Sequence, residues 1–191
     1  NYKYNYMLQE KHDYKKVGWG SISSQNKRFE ILTQIGDLND KSILDVGCGL
    51  GALLEYLNKN YPSVNYCGSD VNLKMIKGAS DRHPNSEFIK TDIVSQSTEL
   101  RKRKFDYVFL SGALNLSEDN HLEYIQKIMS SMYAMSISGV ALNFLSIFSD
   151  YFSPGEYYAN PETILKIAFS LTSKVVLRHD YMSHDFTIYL Y

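Results

Sequence analysis

The chain has 191 residues, 44% of them hydrophobic and 21% charged, with a formal net charge of -1. This balance excludes a disordered or fibrous chain, gives no electrostatic reason to expect nucleic acid or an anionic membrane as partner, and suits one domain with a proper core. No apolar run approaches the roughly 18 residues of a membrane span, and the only cysteines, Cys48 and Cys67, have no histidines at ligand spacing, so no metal is expected and a reduced, cytoplasmic setting is.

Residues 1–20, "NYKYNYMLQEKHDYKKVGWG", show no period and read as an irregular arm. Residues 21–36 read as a helix, with Phe29, Leu32 and Ile35 at helical spacing and Gly36 as its stop. The remainder, 42–191, forms the predicted core. "SILDV" is a short buried strand, followed by Gly47, Gly49 and Gly51 and then by Leu50, Leu53, Leu54 and Leu57 at helical spacing. "VNYCGSD" and "SEFIKTD" are strands ending in acids, separated by the helix "NLKMIKGASDR" with Asn72 as its cap. The basic run "RKRK", Arg101 to Lys104, reads as a solvated loop end before the strand "KFDYVFLSG".

A long helix is expected over "SEDNHLEYIQKIMSSMYAMS", with Leu122, Ile125, Ile128, Met132 and Met135 facing inward. "GVALNFLSIF" is a fifth strand, "NPETILKIAFSLT" a helix capped by Asn160 with Pro161 at its first position, and "KVVLRHDY" with "DFTIYLY" a closing antiparallel hairpin. Strands alternating with helices imply a mostly parallel sheet with helices on both faces, and nothing divides the chain, so a single α/β domain is expected.

Ligands of open α/β sheets bind at the carboxyl ends of the strands, where strand order reverses. Here those ends carry Asp45 with the glycine loop, Asp70, Asp92, and Ser111 with Gly112. A glycine loop lets a ligand approach the backbone and aims helix N-terminal N–H groups at it. Asp70, about 20 residues beyond the loop, is placed to take both hydroxyls of a ribose. The two features together imply a cofactor that contains adenosine.

A dinucleotide remains an alternative, since Gly47, Gly49 and Ala52 satisfy the G-x-G-x-x-G/A fingerprint. Against it, Asp45 is a poor neighbour for a pyrophosphate and a good one for a cationic head. The terminal hairpin and the lack of a second domain point the same way.

"LDVGCGLG", "CGSDVN", "KTDI" and "FDYVFLSGALN" together resemble the motifs of class I S-adenosylmethionine-dependent methyltransferases, a likeness that extends from Ser42 to Tyr191. "GWGSISSQNKRFEIL" with "RHDY" and "DFTIYLY" is also similar to a bacterial subgroup from sugar and surface-glycan gene clusters. The resemblance implies a single Rossmann-like domain with a seven-stranded, mostly parallel sheet and an antiparallel C-terminal hairpin. It implies S-adenosylmethionine as cofactor and S-adenosylhomocysteine as product.

By the same resemblance Gly47, Cys48, Gly49 and Gly51 line the methionine part with Asp45 near its ammonium. Asp70 takes the ribose hydroxyls, Val71 packs on adenine, and Asp92 with the N–H of Ile93 meets its amino edge. Ser111 and Gly112 lie under the methionine. Trp19, Gln25 and Arg28 close over the cofactor, with Arg28 toward its carboxylate.

The acceptor side is less determined. Ser111-Gly112-Ala113-Leu114-Asn115 departs from the D/N-P-P-Y motif of nucleobase amino-methyltransferases and lacks the acid that metal-dependent relatives use there. A small-molecule methyl acceptor is therefore expected, with O-methylation of a sugar, nucleotide-sugar or phosphorylated intermediate first and N-methylation of a small amine second. A fold that binds the cofactor without chemistry is the third reading, and a nucleotide-dependent reductase the last. His179 and Asp180, at a strand end, are the candidate base if the sixth strand lies beside the cofactor strands. Asn115, Tyr157, Tyr158, His184 and His121 are candidate acceptor contacts, although His121 after Ser117, Glu118 and Asp119 also reads as a plain helix start.

Overall fold

In the computed structural model, residues 21–95, 97–115 and 120–191 are described. Their elements run α1 (Ile22–Thr33), β1 (Ser42–Val46), α2 (Ala52–Asn60), β2 (Asn65–Asp70), α3 (Leu73–Arg82), β3 (Glu87–Lys90), a short 3₁₀ helix (Glu99–Lys102) and β4 (Phe105–Leu110). Then follow α4 (His121–Met135), β5 (Ser136–Leu145), α5 (Pro161–Leu171), β6 (Val175–Met182) and β7 (Asp185–Leu190).

The strands form one seven-stranded sheet in the order β3-β2-β1-β4-β5-β7-β6. β1 pairs in parallel with both β2 and β4, so strand order reverses between β1 and β4. β7 is antiparallel to β5 and to β6. The hairpin therefore folds back so that its second strand, not its first, joins the parallel sheet. The burial pattern gives the reason: every residue of β7 is buried, whereas no residue of β6 is, its side chains being half-covered or exposed, which suits an edge.

Side chains alternate across the sheet and make two cores. On one face Val108 and Leu110 of β4 pack with Ile125, Met129 and Met132 of α4 and with Ile164 and Ala168 of α5. On the other, Tyr107 and Phe109 pack with Phe29 and Leu32 of α1 and with Leu53, Leu54 and Leu57 of α2. Asn72 and Asn160 cap α3 and α5 as expected, accepting from the N–H groups of Lys74 and Glu162 at 2.9 Å each.

Several expected boundaries shift. α1 stops at Thr33, before Gly36, and the Thr33 hydroxyl donates back to the carbonyls of Phe29 and Glu30. Gly36 serves contact instead, since a Cβ there would lie 2.4 Å from the Tyr107 hydroxyl oxygen. α4 begins at His121 behind a left-handed Asn120, and residues 116–119, where its start was expected, lie outside the described residues. Leu122 is 42% exposed rather than inward, because His121 is the residue of that turn facing the interior. β5 starts three residues earlier than expected, as Ser136 already pairs with Phe105.

The basic run is not an open patch. Arg103 makes a two-pronged bond to Glu87 at 2.8 Å, Lys102 pairs with Glu99, Arg101 reaches the Val94 carbonyl and Lys104 that of Ala134.

Candidate active site

The reversal between β1 and β4 opens a cavity of about 1140 Å³ at the carboxyl ends of the strands. Its floor is the turn after β1, where Gly47, Gly49 and Gly51 all adopt left-handed backbone that residues with a Cβ rarely enter. At Gly47 the restriction is doubled, since a Cβ would stand 2.4 Å from that of Ala113 in the turn after β4. The loop is held by β2: the N–H groups of Gly47 and Cys48 donate to the Ser69 carbonyl at 2.8 and 3.0 Å. Cys48 is buried, and burial, with Asp45 and Asp70 nearby, pushes its thiol well up, so it is an inert packing group.

Asp45, one residue before the end of β1, has only 3% of its surface exposed and lines the cavity. The Tyr66 hydroxyl donates to its Oδ2 at 2.7 Å. Burial pushes the carboxyl up to about 7 against the opposing help of Tyr66, with Asp70 adding a smaller upward push. No basic side chain among the described residues offsets it. A buried carboxylate at a cavity wall without a counter-charge is a site suited to a cationic ligand.

Asp70 closes β2. Its Oδ2 accepts from the Gly49 N–H at 3.1 Å and its Oδ1 from the Asn72 N–H at 2.8 Å. Burial raises its pKa while these backbone donors pull it down. Asp92, after β3, is exposed and accepts from the Val94 N–H at 3.0 Å, while Ile93 beside it is buried. The turn after β4 is pinned from β5, where Asn143 accepts from the Gly112 N–H and donates to the Ser111 hydroxyl, both at 3.1 Å.

Asp45, Gly47, Cys48, Gly49, Asp70, Val71, Asp92, Ile93, Ser111, Gly112, Gln25 and His121 all line this cavity. Gly51 stands just behind, as the left-handed cap of α2. Trp19 lies outside the described residues. Arg28 is 4% exposed, and its guanidinium meets Asp185 of β7 and the Ser24 hydroxyl instead of the cavity.

His179 and Asp180 are not brought to the cofactor strands. β6 forms the sheet edge, with β7 and β5 between it and β4. There the His179 Nε2 meets the Ser146 hydroxyl at 2.8 Å and Asp180 pairs with Arg178 on the surface. His184, in the hairpin turn, presents its carbonyl to the Ser146 N–H. Tyr158 is spent on Glu156 and the Ser153 N–H. Asn115 and Tyr157 stand behind His121, with Tyr157 donating its N–H to the Asn115 carbonyl at 2.8 Å.

Two contributors escaped the sequence reading. Asn143 had a signal, a lone amide in the apolar run "GVALNFL"; Tyr66 had none, because its partner is fixed only by the register of β1 on β2.

A family model described as a methyltransferase domain matches residues 43–134. A chain of Mycobacterium tuberculosis, itself named as a methyltransferase, is 32% identical over 157 residues, covering 77% of this chain and 90% of that one. Trans-aconitate 2-methyltransferase of Rhodopseudomonas palustris is 25% identical over 103 residues, which span 54% of this chain and 39% of that protein. The crystal structure of magnesium protoporphyrin IX methyltransferase from Synechocystis PCC 6803 with bound SAM superimposes with a TM-score of 0.66 at 16% identity, covering 99% of this chain and 90% of that one.

Proposed function

The chain belongs to the class I S-adenosylmethionine-dependent methyltransferase family, and from that premise we propose that its acceptor is a hydroxyl group of a small soluble molecule, a sugar or sugar derivative before others. S-adenosylmethionine supplies a methyl group on a sulfonium, an electrophile that needs no acid on its leaving side. The residues at the strand ends fit it. Asp45 is assigned its ammonium, Asp70 the ribose hydroxyls, Val71, Asp92 and Ile93 the adenine, and the Gly47–Gly51 turn the methionine chain.

The single observation that carries the cofactor assignment is the buried carboxyl of Asp45 at the cavity wall, which no basic side chain among the described residues offsets. The small acceptor rests on space and charge. Ligand cavities run from about 300 to about 1,000 Å³, and a cavity of about 1140 Å³ among the described residues supports a small molecule as acceptor. Beyond the glycine loop the described part of the wall is Ser111, Gly112, Ala113, His121, Tyr124 and Ile128, and among these residues there is no fixed charge while the imidazole is neutral. A relative named for a small organic acid, trans-aconitate, supports an acceptor of that size.

Catalysis by such a site begins with placement, the acceptor held against the methyl carbon and water kept out, and a hydroxyl acceptor also needs a group to take its proton. The test offers the protein S-adenosylmethionine with a methyl glycoside, a sugar phosphate, a nucleotide sugar and ethylamine, and follows S-adenosylhomocysteine. Release that depends on a hydroxyl compound supports the reading. Release with the amine alone replaces it with N-methylation, and binding without release with any probe replaces it with a ligand-binding fold.

A further inference from the structure

His121 opens α4 and is 8% exposed, on the same cavity as Asp45 and the glycine loop. Its Nε2 stands 2.9 Å from the Leu114 carbonyl oxygen. A carbonyl only accepts, so this contact places the proton on Nε2 and, in the neutral ring, the lone pair on Nδ1. That Nδ1 is buried and has no hydrogen-bond partner among the described residues. A buried acceptor left unmet is costly and rare in a folded protein, and asks for an explanation. The other such atom among the described residues, Nε2 of His83, differs in that it faces Glu55 at 3.5 Å.

The ring is held in place. Tyr157 packs on it with centroids 4.2 Å apart, and the Tyr157 N–H ties the loop after β5 to Asn115 in the turn after β4. An imidazole on the cavity wall with one nitrogen anchored, a neighbour packed on its ring and its second nitrogen unmet is prepared to take a proton at that second nitrogen.

We propose that His121 is the general base of the reaction, its Nδ1 accepting the proton of an uncharged acceptor hydroxyl. This rests on the hydroxyl reading above. The acceptor oxygen forms a bond to the methyl carbon as its O–H proton passes to Nδ1. The carbon–sulfur bond breaks, its electron pair stays on sulfur, and the sulfonium becomes a neutral thioether. The imidazolium then returns its proton to water. A hydroxyl is too poor a nucleophile to react well without such help, whereas a free amine does not need it.

The first test needs no acceptor. ¹⁵N spectra of the histidine-labelled full chain with S-adenosylhomocysteine, assigned by difference from His121→Gln, are expected to show His121 with Nε2 protonated and Nδ1 bare. An Nδ1–H ring overturns the proposal. The second uses the hydroxyl probe turned over fastest in the panel above. His121→Gln keeps an amide able to reach the Leu114 carbonyl but has no base at the Nδ1 position. It is expected to bind S-adenosylmethionine as the parent does, with KM little changed and kcat down by about a hundredfold or more. A variant as fast as the parent on that probe overturns His121 alone and leaves the hydroxyl reading standing. Turnover confined to ethylamine overturns the hydroxyl reading itself.

Discussion

The Tyr66 hydroxyl donates to Asp45 Oδ2 at 2.7 Å beneath the glycine loop, and both side chains are buried. The pair sets the protonation of the one carboxylate placed for a cationic cofactor head, because burial raises the Asp45 carboxyl to about 7. Ionised Asp45 binds the cation and protonated Asp45 does not. Affinity for S-adenosylmethionine is therefore expected to climb with pH up to about 7 and level off above it, losing close to tenfold for each unit below. Calorimetric titration across that range checks this; a flat profile would remove Asp45 from the site.

The same shift acts on stability with the opposite sign. The folded chain holds its Asp45 proton more tightly than the unfolded one, so this group's contribution to stability falls as pH rises from 3.8 to about 7. Asp45→Asn is expected to raise the melting temperature of the ligand-free protein at pH about 8 while weakening cofactor binding. Tyr66→Phe removes a donor that lowers the Asp45 pKa, so it moves the binding midpoint to higher pH and costs about 1 kcal/mol of stability. A Tyr66→Phe midpoint at or below the parent's would contradict that role.

Asp70 is predicted to matter twice. Its carboxylate holds the loop through the Gly49 N–H and opens α3 through the Asn72 N–H, while it lines the cavity. Asp70→Ala leaves both donors unmet and takes away the acceptor for paired hydroxyls, so S-adenosylmethionine affinity is expected to fall by about a hundredfold or more, with charge-assisted bonds of this kind worth roughly 1.5–3 kcal/mol each. Asp70→Asn, which retains one acceptor oxygen, is expected to fall between. Equal binding by all three proteins in the same titration would sink the assignment.

The glycine loop, the acids at the ends of β1 to β3 and the alternation of elements were legible because each is local. A left-handed turn demands glycine within a few residues, and a change of hydrophobic period marks where strand becomes helix. The position of β6 depends on a long-range choice, which hairpin strand meets β5, and only the heavier burial of β7 decides it. His179 and Asp180 were misplaced for that reason. Arg28 shows the same limit. Nothing near "SSQNKRFEI" tells that its guanidinium meets a carboxylate 157 residues away.

The Arg28–Asp185 pair makes the last prediction. Both groups are buried, at 4% and 1% exposure, and Asp185 also accepts from the Tyr181 hydroxyl. This contact fastens α1, which supplies Gln25 and Phe29 to the cavity wall, onto β7. Removing one partner strands the other charge, so Arg28→Met alone is expected to cost about 3–5 kcal/mol in denaturant unfolding, as is Asp185→Leu alone. The double variant replaces two buried charges by apolar groups and is expected to recover most of that loss, since such exchanges are often close to neutral. Cofactor binding separates this from the earlier expectation that Arg28 meets the cofactor carboxylate. A structural Arg28 predicts that the refolded double variant binds S-adenosylmethionine nearly as well as the parent. Loss of binding with stability restored would return Arg28 to the site.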